Sequence, residues 1–158
     1  MGRGAGGGGR AGSRAATGKP ASVNVAMEIV QMQEMGAPPK HIEAMLRENG
    51  VDYVEAYHVT RVENMKNIEK NGINLSPQEN RPDASYFFLD KRDVGDNANV
   101  LGHHGDYATV TIRIPRSEAA NIKYDGFFNG TFSSSYSAAR LYRAIPSDWI
   151  VSVTKTAK

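Results

Sequence analysis

The chain has 158 residues, 40% hydrophobic and 23% charged, a composition that predicts one globular domain with extensions. It lacks cysteine, which excludes disulfides and thiolate metal sites, and no apolar run approaches the roughly 18 residues of a membrane span, so no membrane partner is expected. The net charge of +2 rests on Arg3, Arg10, Arg14 and Lys19; without them 15 basic side chains face 17 acidic ones, and no global signature of nucleic-acid binding remains.

Residues 1–21 are rich in glycine, with alanine, serine and arginine, and have almost nothing to bury. Such a segment cannot offset its ordering entropy and reads as a flexible linker or tail, the end of a linker from a longer parent. Residues 22–50 read as a helical hairpin extension. Val25, Met27, Ile29, Val30 and Met32 give a first helix its apolar side, and Met35-Gly36 ends it. Pro38-Pro39 restarts the chain, Ile42, Met45 and Leu46 form the next stripe, and Gly50 closes it.

Residues 51–158 form the main domain, which begins with the strand-like Tyr57-His58-Val59-Thr60. Thr60 and Glu63 have capping-box spacing for a helix over 61–71, whose apolar face is Val62, Met65 and Ile68, continued by Ile73. Asn71-Gly72 is its stop, because glycine accepts a left-handed backbone. His58 is the odd member, a polar ring closing an apolar strand. It suits either a backbone-bonded strand end or an imidazole that meets a ligand.

Further along, Ile73 to Pro77 reads as a short extended piece and Gln78 to Asp83 as a polar loop. Ser85-Tyr86-Phe87-Phe88-Leu89 is the strongest strand signal. A helix is expected over Asp90 to Gly102, weakened by Gly95, and an alternating strand over Tyr107 to Pro115. Ser117 to Tyr124 fits either a helical turn or a strand. Leu141 to Ile145 and Trp149 to Thr154 read as the last strands, joined by a Pro146-Ser147-Asp148 turn. The fold class is α+β.

No P-loop, GxGxxG, HExxH or GxSxG motif occurs. His103-His104 with Asp106 does not make a metal site, because adjacent strand residues face opposite ways and no further histidine lies nearby. The arrangement with more content is His58 followed by Ser85-Tyr86. A neutral imidazole offers one donor and one acceptor to a sugar hydroxyl, and a tyrosine offers a flat ring to a heteroaromatic base.

Tyr57-His58-Val59-Thr60, the exit from Ile68 to Gly72-Ile73, and Ser85-Tyr86-Phe87-Phe88-Leu89-Asp90 together resemble the ADP-ribosyltransferase fold. They are most similar to its histidine–tyrosine–acid branch, which holds the poly-ADP-ribose polymerases, many bacterial toxins and the DarT-like nucleic-acid modifiers. Ala144 to Ile150 resembles the final turn and strand of those toxins. The resemblance implies a split mixed or antiparallel sheet. It also implies a glycosyltransferase-class enzyme that uses NAD as substrate and passes ADP-ribose to RNA, DNA or protein. A toxin or effector acting in the cytoplasm fits this, delivered as the C-terminal part of a larger protein, with a cognate immunity protein or antitoxin among its partners.

Carried onto this chain, the resemblance assigns His58 to the adenine-side ribose and the backbone of Val59 to the nicotinamide amide. Tyr86 would stack on nicotinamide, with Ser85 and Thr60 as neighbouring polar contacts. The branch places its acid at the start of the penultimate strand, near Ala138 to Ala144, yet no acid occurs between Gly126 and Ser147. Three explanations stay open: an inactivating alanine substitution at Ala138 or Ala144; Asp125 or Asp148 taking the role from a loop; or Ser134, Ser135 or Tyr136 with Arg140 meeting a phosphate. The RNA 2′-phosphotransferases, which use arginines instead of the acid, are an alternative through Arg61, Arg140 and Arg143. A catalytically inactive module that binds NAD or a partner is a further one. The loop from Phe127 to Tyr136 is expected to contact acceptors or to pack into the domain.

Overall fold

The computed structural model describes residues 15–78, 81–97, 105–125 and 137–156. Ser22 caps helix α1 (Val23–Glu34), its Oγ accepting from the Val25 amide at 3.2 Å. Helix α2 (Pro39–Glu48) starts on proline, where no intrahelical donor is required. Ala26, Ile29 and Val30 of α1 and Ile42 and Leu46 of α2 are buried in one cluster with Val54, Ala56, Ile112, Ile114 and Leu141 of the sheet. The helical hairpin therefore shares the core of the main domain.

The sheet contains β1 (Tyr53–Thr60), β2 (Ser76–Gln78), β3 (Arg81–Phe88), β4 (Tyr107–Pro115), β5 (Lys123–Tyr124), β6 (Ala138–Leu141) and β7 (Ile150–Thr156). Its path is β5-β6-β3-β1-β4-β7, with β2 paired to β3. Every ladder among the described residues is antiparallel, so the expected mixed option gives way to the antiparallel one. The protein is α+β.

The pairing is uneven. β1 follows β4 along its whole length, from Tyr53 opposite Pro115 to Thr60 opposite Ala108, and β3 follows β6 from Ser85–Leu141 to Phe88–Ala138. Between β1 and β3 the recorded register is the single pair Tyr57–Phe88. Two antiparallel halves, β7-β4-β1 and β3-β6-β5, thus meet along one narrow seam. Ala108, Val110, Ile112 and Ile114 are fully buried on one face of β4, as its alternation predicts. Helix α4 (Arg92–Asn97) covers part of the opposite face, where Val94 packs with Phe88, Tyr107 and Ala138.

Several boundaries differ from expectation. The loop expected over Gln78 to Asp83 is largely taken by the β2–β3 hairpin. The strand expected over Leu141 to Ile145 begins earlier, at Ala138, and ends at Leu141. Alanine is a weak strand signal, which hid its first two residues. Ile145 instead exchanges backbone hydrogen bonds with Ile73 at 2.8 and 2.9 Å. Ser117 to Tyr124 holds both alternatives, as the short helix α5 (Arg116–Ala119) is followed by β5. The part of the expected Asp90–Gly102 helix that is described is α4; 98–102 lie outside the described residues.

The Thr60–Glu63 capping box does not form. A 3-10 turn (Val62–Asn64) precedes helix α3 (Met65–Asn71), Thr60 Oγ1 accepts from Asn64 Nδ2 at 3.0 Å, and Glu63 lies 3.9 Å from Arg61. Gly72 does end α3, at φ 79°.

Residues 15–21, expected within the flexible linker, are instead laid against the start of β1. The Lys19 amide donates to Asp52 Oδ2 at 2.7 Å, the Ala21 amide to the Tyr53 carbonyl at 2.9 Å, and Arg113 Nη1 to the Ala16 carbonyl at 3.0 Å. Gly18 permits the close pass: a Cβ there would stand 2.2 Å from Asp52 Oδ2. Among the described residues no helix is long and apolar enough to cross a membrane.

Candidate functional site

The seam brings together the two residues that the sequence separates by 28 positions. Just past the Tyr57–Phe88 pair, His58 Nδ1 lies 2.7 Å from the carbonyl oxygen of Tyr86. A carbonyl only accepts, so Nδ1 donates, and in the neutral ring Nε2 is then the acceptor. The bond is the backbone anchor of the first reading of His58, and it fixes Nε2 as the nitrogen able to accept from a hydroxyl in the second. Tyr86 is half-buried, on the same strand face as Phe88 and opposite Arg140.

The other expected contacts are divided. Val59 is half-buried and packs with Tyr57 against the Phe88, Val94, Tyr107 and Ala138 cluster. Thr60 is buried and takes the Asn64 amide described above. Ser85 is buried, and its Oγ donates to the Arg143 carbonyl at 2.7 Å, tying β3 to the chain that leaves β6. These bonds give Thr60 and Ser85 scaffolding duties.

Of the two alanines, Ala138 stands at the head of β6, buried opposite Phe88. Ala144 is exposed beyond the strand, where its carbonyl accepts from Arg143 Nε at 3.0 Å. Asp125 is buried and lies 3.6 Å from Arg140 Nη1, and its amide donates to the Ala138 carbonyl at 3.0 Å. Asp148 is exposed on the 3-10 turn before β7. Ser134, Ser135, Tyr136 and the rest of the Phe127–Tyr136 loop lie outside the described residues, as do His103 and His104. Asp106 pairs with Lys155 at 3.3 Å.

A carboxyl that sequence reading passed over is Asp93 of α4. It is buried, its Oδ2 accepts from the hydroxyl of Ser137, and its carbonyl accepts from Asn97 Nδ2 at 2.7 Å. Ser137 immediately precedes Ala138, and its carbonyl accepts from the Leu89 amide at 3.0 Å. The only local signal was the i, i+4 spacing of Asp93 and Asn97 within an expected helix.

Arg140 meets Asp125, donates from Nε to the Tyr142 hydroxyl at 3.1 Å and lies 5.5 Å from that ring's centre. Arg143 stacks 4.6 Å from the Trp149 ring and pairs with Glu118 at 3.5 Å. The exposed Arg61 faces Glu63. The three guanidinium groups are each taken up by a different carboxylate, Asp125, Glu118 and Glu63.

Next to the seam, the Tyr57 hydroxyl donates to Glu55 Oε1 at 2.9 Å, and Glu55 lies 3.7 Å from Arg113. Burial first, then this hydrogen bond to a carboxylate, pushes the Tyr57 phenol well above the ordinary tyrosine range. The folded state therefore holds this proton where the unfolded chain releases it, so stability falls as pH rises past about 10. Absorbance titration of folded protein should show one phenol fewer in the ordinary range than titration in denaturant, and Tyr57→Phe should abolish that difference.

Compared with known proteins, the chain matches no family model, and no curated protein is similar to it.

Proposed function

We propose that the protein is an NAD-dependent ADP-ribosyltransferase that modifies a macromolecule, in the manner of a toxin or effector. The observation that carries this reading is the bond from His58 Nδ1 to the Tyr86 carbonyl across the seam. It joins the two motifs from which the resemblance was drawn, at the junction of β1 and β3. An α+β protein with an antiparallel sheet is compatible with the fold that the resemblance implies.

In this reading His58 Nε2 accepts from a ribose hydroxyl of NAD, and the Tyr86 ring lies against nicotinamide. The bond between ribose C1′ and the nicotinamide nitrogen breaks, and its electron pair leaves with neutral nicotinamide. C1′ then takes a lone pair from an oxygen or nitrogen of the acceptor, whose proton passes to solvent. The phosphotransferase alternative draws less support, because each of its arginines already pairs with a carboxylate.

Labelled NAD incubated with RNA, DNA and cell-extract protein in separate reactions should label one class, which names the acceptor. Tyr86→Ala should weaken NAD binding by roughly 10- to 100-fold, the loss of about 1–3 kcal/mol of stacking, and His58→Ala by about tenfold. Calorimetry on both variants checks this. Unchanged NAD affinity in both would remove the reading. NAD binding without transfer to any class would instead favour an inactive binding module.

A further inference from the structure

The missing strand acid leaves a specific gap, and the structure offers a carboxyl beside it from another element. Asp93 and Ser137 are both buried, 7% and 3% exposed, and hydrogen-bonded to each other. Their pair sits at the head of β6, one residue before Ala138. The neighbouring Val94 packs on Ala138 and Phe88, so α4 lies over the same face of the sheet that carries Tyr86. A buried carboxyl is costly to keep without a partner; this one accepts from the Ser137 hydroxyl, and the charge of the neighbouring Arg92 acts on it.

We propose that Asp93, anchored by Ser137, is a positioning residue that supplies the negative charge steadying the oxocarbenium-like state, in place of the strand acid. This rests on the transferase reading above. Neither side chain is exposed enough to shuttle protons. The pair acts as a fixed charge at the head of β6, where low polarity lets a carboxylate be felt without contact. Positive charge already sits on the nicotinamide ring of NAD and moves to C1′ as the bond breaks, so a carboxylate on the C1′ side acts more on turnover than on substrate affinity.

The test compares Asp93→Asn with the unsubstituted chain in NAD binding and in nicotinamide release. The variant keeps the shape and the hydrogen bond to Ser137 but loses the charge. Turnover should fall by about 100-fold while KM for NAD stays within about twofold. Adding Ala138→Glu to Asp93→Asn, which returns a carboxylate to the strand, should recover at least about tenfold. Turnover within about threefold of the unsubstituted chain would overturn the proposal. So would a loss that Ala138→Glu does not recover, in a double variant whose melting and NAD affinity are unchanged. NAD binding with no turnover in the unsubstituted chain would overturn it too, leaving the NAD site standing. Absence of NAD binding altogether would remove the transferase reading, and this inference with it.

Discussion

Gly72→Ala is expected to destabilise the protein by about 3–5 kcal/mol, combining backbone strain and forced overpacking. Gly72 has φ 79° and ψ −163°, a region that residues with a Cβ do not occupy without strain. A Cβ there would stand 2.1 Å from the Ile145 carbonyl oxygen and 2.8 Å from the Ser147 amide, both backbone atoms that cannot swing aside. The close approach exists because Ile73 and Ile145 hydrogen-bond immediately next to it. Gly36→Ala is the matched control: φ is 84°, but nothing lies within 4 Å of its added Cβ. It should cost only about 1–2 kcal/mol. Urea denaturation of the two variants separates collision from strain, and equal losses would contradict this account.

The second large effect is expected at Arg140. Arg140→Met should cost about 3 kcal/mol, because it takes the guanidinium away from the buried Asp125. Asp125→Asn combined with Arg140→Met should regain much of that loss, since the charge that demanded a partner is then gone. A double-mutant cycle by chemical denaturation measures the coupling. If Arg140 served chiefly to meet a phosphate, Arg140→Met would be nearly neutral in stability and the cycle would show no coupling. The pair links β6 to the end of β5, so the outcome bears on whether this arginine maintains the site or touches its ligand.

Much of the architecture was legible from periodicity. The two opening helices, the β4 alternation and the Gly72 stop each follow from spacing and backbone freedom in a short window. What failed locally was decided by partners far along the chain. Ala138 and Ala139 form a strand because β3 pairs with them, although alanine carries no such preference. Thr60 has a capping residue's chemistry, yet Asn64 takes its hydroxyl after a 3-10 turn intervenes. Residues 15–21 have little to bury beyond Ala21, and they are held by hydrogen bonds to Asp52, Tyr53 and Arg113 that no composition argument could supply.

The candidate site divides in the same way. His58 and Tyr86 could be singled out because each is chemically out of place in an apolar strand. Their approach to 2.7 Å follows from strand order, which spacing alone does not give. Ser85 looked equally suitable, and its bond to the Arg143 carbonyl was invisible without the fold. Asp93 was hidden for a converse reason. An acid in the first turn of a helix is what any solvated helix would show, and only burial against Ser137 marks it.

The narrow seam has a mechanical consequence. Tyr57–Phe88 is the one register pair between the central strands, so backbone pairing alone joins the two halves weakly. What holds them as one body is side-chain packing: Val54, Ala56, Ile112 and Ile114 of one half share a buried cluster with Phe87, Ala139 and Leu141 of the other. The His58–Tyr86 bond adds a polar tie across the same junction.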